Sequence, residues 1–206
     1  MILGRFFNLE NPVWRFIGNL ADLFLLSVYW YLCSLPVFTA GSGTCALYYV
    51  TLKQASNQEG YTSSSYWRSF RGNFKQGTLL WLIMLAVGTV LGADWYWCLN
   101  SGTSMAFYLL PAFAIITVLF FIVLFMMFPL LARCENTTAA LFKMSFAMGI
   151  RNFLPVLSTV AVTAGIFLTG VFVFWPLLLI APGLSAYINS FIFNRILTKY
   201  HLNLPD

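Results

Sequence analysis

The chain has 206 residues, 60% of them hydrophobic and only 8% charged, with a mean hydropathy of +0.81. A core this apolar leaves too few polar residues to cover it in water, and the length leaves no room for a soluble catalytic module. Eleven basic against six acidic residues give a net charge of +5, but apolar stretches keep the cations apart, which argues against nucleic acid as a partner.

Leu23–Leu52, Gln76–Ala93, Trp95–Ala132 and Asn152–Asn194 contain no Asp, Glu, Lys or Arg, over runs of 30, 18, 38 and 43 residues. A helix needs roughly 20 apolar residues to cross ~30 Å of hydrocarbon. The expected fold is therefore all-α, a polytopic helical membrane bundle forming a single membrane domain over 1–206. Its apolar elements fall at about 14–36, 37–52, 77–97, 106–131, 153–175 and 177–197.

Asn11-Pro12 reads as an N-cap with proline at the first helical position, opening helix 1 toward Pro36. The first 16 residues mix aromatic and polar types, unlike a cleavable signal, so helix 1 is expected to remain in the mature protein. Pro36 and then Thr39–Gly43 are expected to break it. The next apolar piece, 37–52, spans only ~24 Å as a helix. It fits a short tilted crossing, a re-entrant arm, or a helix that leaves the membrane on the far side. Cations stay on the cytoplasmic face during insertion. A return at Gly41–Gly43 puts all eleven on one side, whereas an exit leaves nine against two. The count favours the return, six membrane elements over five, and both termini in the cytoplasm.

Ser63–Gln76 alternates aromatic, polar and basic residues and is expected to lie along the inner interface as an amphipathic elbow helix. Helix 3 follows, with Trp81 near one end and Trp95-Tyr96-Trp97 at the other as aromatic belts. Its Gly88 and Gly92 allow close helix approach. Helix 4 leads to a second elbow, Ala139–Asn152, and helix 5 to a turn at Trp175-Pro176. Helix 6 is expected to kink at Pro182-Gly183. The two elbows share aromatic and basic residues ahead of Asn73-Phe74 and of Asn152-Phe153, as a parallel internal repeat would. Shared interfacial chemistry is the plainer explanation.

Candidate chemistry is sparse. The lone His201 rules out a Ser-His-Asp triad within the membrane and any two-histidine metal site. Cys33, Cys45, Cys98 and Cys134 lack metal spacing and read as small hydrophobes. No cofactor is expected, nor an enzymatic activity. Asp22 approaches hydrocarbon, where an ionisable group is a functional candidate. The alternative is local pairing with Arg15 or Asn19, on the same helix face. Gly41 and Gly43 are candidates either for a cavity-lining break or for a tight turn. Arg68, Arg71, Lys75, Arg133, Lys143 and Arg151 are expected to contact lipid headgroups or a cytoplasmic partner.

The segments Asn11-Pro12 with Arg15-Phe16, Asp22-Leu23, Cys33-Ser34-Leu35-Pro36, Thr39-Ala40-Gly41-Ser42, Ala46-Leu47-Tyr48-Tyr49 and Phe70–Gln76 carry a family resemblance. On these the chain resembles the YesL-type integral membrane proteins of Gram-positive bacteria, most densely over the first 80 residues. The resemblance implies a plasma-membrane protein of unknown biochemical activity, encoded beside carbohydrate-uptake ABC transporters. It supplies no catalytic or binding residues. Two functions compete: a non-enzymatic accessory to a carbohydrate ABC uptake system, its partners the bilayer and ABC permease subunits or a second copy of itself, and a small-solute permease acting alone.

Overall fold

The structure is a computed structural model that describes residues 12–56, 58, 60–101 and 104–200, without the side chains of 12–17 and 104–107. Every regular element among the described residues is helical: α1 (Pro12–Ser34), α2 (Ala40–Ala55), α3 (Thr62–Gly72), α4 (Phe74–Asn100), α5 (Ser104–Leu131), α6 (Thr138–Arg151), α7 (Phe153–Phe172) and α8 (Ala181–Lys199). The expected N-cap, Asn11, lies outside the described residues.

The chain turns back at Leu35–Thr39, not at Gly41–Gly43. Pro36 has no N–H to continue the helix and disfavours the helical conformation at Leu35. A short 3-10 turn, Val37–Thr39, follows. The Thr39 hydroxyl lies within hydrogen-bond reach of the Cys33 carbonyl and of the Pro36 carbonyl (2.8 Å), while Trp81 Nε1 donates to the Val37 carbonyl (2.7 Å). The first of these bonds occupies an acceptor that the end of α1 leaves open, and the other two occupy carbonyls of the turn itself. Gly41, Ser42 and Gly43 already belong to α2. Trp30 Nε1 donates to Thr44 Oγ1 at 2.9 Å, tying the two arms of the α1–α2 hairpin together.

At 16 residues, or ~24 Å, α2 is shorter than a hydrocarbon core. It is nonetheless the buried axis of the molecule, with α8 its most extensive partner and α1, α3, α4 and α5 around it. Small residues permit this crowding. A Cβ on Gly41 would strike the Gly77 carbonyl oxygen and Trp81 Cβ, so α2 and α4 cross almost backbone to backbone there. Further along α2, Tyr48 meets Phe193 of α8 edge to face at 5.6 Å.

Among the described residues three helices are long and apolar enough to cross a membrane: α4, α5 over Tyr108–Leu131, and α7. Their outward faces are apolar, with Val90 and Leu99 on α4, Ile115 and Ile116 on α5, and Leu154, Leu168 and Phe172 on α7 all exposed. In water such a surface is a liability, whereas hydrocarbon covers it without penalty. After α7 a 3-10 turn, Trp175–Leu179, leads to α8. The expected kink at Pro182-Gly183 is instead the start of α8, where proline in the first turn sacrifices no bonded N–H. Gly183 fits against the Leu23 carbonyl of α1, and its N–H donates to Ser27 Oγ at 2.9 Å.

The elbow segments form the separate helices α3 and α6, ending at Asn73 and Asn152. The junctions are built alike. Asn73 N–H bonds the Ser69 carbonyl (3.0 Å) and its Nδ2 the same oxygen (3.2 Å). Asn152 does the same to the Met148 carbonyl, at 3.0 and 2.9 Å. When Asn73 is laid on Asn152 without gaps, Leu52, Tyr66, Ser69 and Leu80 fall on Leu131, Ser145, Met148 and Thr159, and all eight are buried. In each unit the elbow packs chiefly on the helix before it, α3 on α2 and α6 on α5. The repeat suggested by a few elbow residues thus has a counterpart in burial and bonding.

Candidate functional site

The interior of the bundle holds a polar seam and a cavity, and α8 contributes to both. Its Ser185, Asn189, Ser190 and Asn194 recur at helical spacing inside a charge-free stretch, which turns one polar stripe inward. Ser190 Oγ lies 2.8 Å from Thr51 Oγ1 of α2 and 2.7 Å from the Ala186 carbonyl. Asn194 Nδ2 donates to the Leu52 carbonyl (3.1 Å) and Ser56 Oγ (3.0 Å), while its Oδ1 accepts from Arg133 Nη2. Asn189 Nδ2 donates to Thr163 Oγ1 of α7 at 2.8 Å; its fully buried Oδ1 has no hydrogen-bond partner among the described residues.

One turn before Asn189, a cavity of about 250 Å³ opens between α1, α2, α4, α5, α7 and α8. Trp30, Trp81, Phe125, Phe128 and Phe167 supply most of its wall. Tyr48, Thr44, Thr163 and Ser185 are its polar members. Thr44 Oγ1 is already engaged by Trp30 and by the Ala40 carbonyl, and Ser185 Oγ by the Pro182 carbonyl. The lining contains no Asp, Glu, Lys, Arg or His, so it offers neither general acid–base nor charge-stabilising groups. Its chemistry is that of an apolar receptacle.

The residues singled out from sequence are dispersed. Asp22 is half-buried on α1; its expected partner Arg15 lies outside the described side chains, and Asn19 is exposed. Gly41 and Gly43 do not line this cavity and sit at close helix contacts. A Cβ on Gly43 would stand 3.2 Å from Cys33 Cβ and 3.4 Å from the Tyr66 hydroxyl. Gly88 packs under Phe120 of α5, but Gly92 faces open space, so the pair does not make one shared crossing. Cys33, Cys45 and Cys98 are buried, and Cys134 is half-buried.

The cations divide. Arg71, Lys75, Lys143 and Arg151 are exposed. Arg68 is exposed but bonded through Nη2 to the Tyr49 hydroxyl at 2.8 Å, and Lys53 lies 5.0 Å over the same ring. Arg133 differs from the expectation: it is buried, turned inward to Asn194 and not outward to headgroups. Burial pushes its pKa down, partly countered by Cys134, though a guanidinium stays charged in any protein setting. Sequence reading missed the α8 stripe because it counted charges; Asn189 and Asn194 are uncharged and so went unweighed.

Helices throughout the described residues, three of them long and apolar, and a cavity lined without charged groups have the make-up of a membrane protein. Residues 23–95 match the model of a family described as proteins of unknown function, DUF624. The matched stretch runs from the second half of α1 through α2 and α3 into α4, and covers about a third of the chain. No curated protein and no solved structure matches the chain.

Proposed function

We propose that the chain is a non-enzymatic, multi-pass protein of the cell membrane that acts as an accessory to another membrane assembly. The position of α2 carries this reading. Twelve of its sixteen residues are buried, and five helices close around it where a solute path would have to run. The aromatic cavity offers a sugar few partners for the hydroxyl groups it would bring out of water. In this reading α1 and α2 form a hairpin within the membrane, and α4, α5, α7 and α8 complete six elements. Both termini face the cytoplasm, and α3 and α6 lie along the inner interface with Arg71, Lys75, Lys143 and Arg151 toward headgroups. The partners are ABC permease subunits, as the resemblance implies, or a second copy of the chain.

The cavity itself favours the second reading, a permease for a small solute. Two measurements separate them. Tagged protein drawn from native membranes is expected to bring permease subunits with it. Liposomes holding the chain alone are expected to show no solute flux. Flux without any partner overturns the accessory role.

A further inference from the structure

The groove between α7 and α8 pairs cationic and apolar ends in the arrangement of an amphiphile. It encloses about 460 Å³. Arg195, Lys199, Asn152 and Pro155 stand at one end, and Phe191 and Ile192 at the other. Two hydrogen bonds set the register of its walls. Asn152 Nδ2 donates to the Tyr200 hydroxyl at 3.2 Å, and Asn189 Nδ2 donates to Thr163 Oγ1 at 2.8 Å. Between these bonds each step forward on α7 is matched by one step back on α8, so the helices are antiparallel. Lys199 therefore lies level with the start of α7, and Phe191 is two turns, or ~12 Å, deeper.

Arg195 and Lys199 are four residues apart and share one face of α8. Both are exposed, and neither makes an ion pair or hydrogen bond among the described residues. Two cations with neutral company at the end of an apolar groove fit a phosphate group, which a guanidinium grips through two parallel bonds. A free phosphate has no use for the apolar half. A phospholipid uses both ends, and basic pockets between membrane helices are known to hold anionic headgroups.

We propose that this groove is a binding site for one anionic phospholipid, its phosphate between Arg195 and Lys199 and the root of an acyl chain along Phe191 and Ile192. The site rests on the membrane placement proposed above. If that placement fails, the chain will appear in the soluble fraction on cell lysis; if only the site fails, the chain stays in the membrane fraction without lipid preference. The test uses the full chain, delipidated in neutral detergent and titrated with phosphatidylglycerol or phosphatidylcholine, with bound lipid counted by native mass spectrometry. Phosphatidylglycerol is expected to be retained preferentially. Arg195→Gln or Lys199→Gln should weaken it about fivefold each, and the pair about 25-fold, while Lys53→Gln, which loses only its place over the Tyr49 ring, leaves it unchanged. Ser158→Trp, which fills the groove and keeps both cations, should also displace the lipid, and it stands in if the double variant does not fold. Equal retention of the two lipids, or an equal loss in Lys53→Gln, overturns the proposal in favour of diffuse surface attraction. Displacement of the lipid by millimolar inorganic phosphate overturns it in favour of a simple anion site.

Discussion

The crossing of α2 and α4 at Gly41 predicts the response to adding a single methyl group. In Gly41→Ala the new Cβ would collide with the Gly77 carbonyl oxygen and with Trp81 Cβ. One is backbone and the other the first atom of its side chain, so neither can swing aside, and the helices must move apart. Overpacking of this kind costs about 1–3 kcal/mol. Alanine returns about 1 kcal/mol of helix propensity over glycine. Separation also strains the Trp81 Nε1 bond to the Val37 carbonyl, worth about 1 kcal/mol. The net expectation is a loss of about 1–3 kcal/mol for Gly41→Ala, and more for Gly41→Val. Gly92→Ala is the matched control, since nothing lies within 4 Å of its Cβ, and it should gain up to about 1 kcal/mol from propensity alone. Denaturation in mixed micelles, followed by tryptophan fluorescence, measures both. Equal stability of the Gly41→Ala and Gly92→Ala proteins would refute the crossing.

Arg133→Gln should cost about 1–3 kcal/mol in the same assay, because it breaks the bond of a buried guanidinium to half-buried Asn194. Lys143→Gln, at an exposed site, should stay within about 0.5 kcal/mol of the parent. Reporter fusions at residues 8 and 203 should both read as cytoplasmic; an external signal at residue 8 sinks the hairpin of α1 and α2 as a return. Asp22→Asn should lower stability or insertion more than any partner binding. Intact folding with loss of a partner complex would instead make Asp22 a functional residue.

Much of the architecture was legible because hydropathy adds up along a chain. Four charge-free runs located the apolar elements, while the first elbow, expected to run to Gln76, ends at Gly72, and the next helix begins at Phe74 and not at Gly77. The hairpin turn was misplaced for a definite reason. Glycine serves both where φ must be positive and where backbones must touch, and sequence does not distinguish the two uses. At Gly41 the second use holds, with Leu35-Pro36 making the turn. Arg133 resembled its exposed neighbours because its inward course depends on Asn194, 61 positions away. The α8 stripe was open to view: two asparagines five residues apart in a 43-residue uncharged run have few places to be satisfied except the bundle interior.

The paired junctions give the molecule a plan that the charge pattern alone does not. The chain turns where α3 meets α4 and where α6 meets α7, and each turn releases carbonyls at the end of the first helix. Asn73 and Asn152 each return a carboxamide N–H to the carbonyl four residues back, while Gly77 N–H and Val156 N–H bond the two asparagine carbonyls at 2.7 and 3.0 Å. The bend is thereby satisfied within the chain and needs no water. One unit, α2–α3–α4, falls within or close to the family match at 23–95; the other, α5–α6–α7, lies beyond it. Their difference is in the leading helix. The glycines of α2 bring it against α4 and into the centre, whereas α5, with Phe120 and Ile122 where α2 has Gly41 and Gly43, keeps part of its length outside. Two units with like junctions thus yield an asymmetric bundle, because the leading helix of only one of them carries glycines.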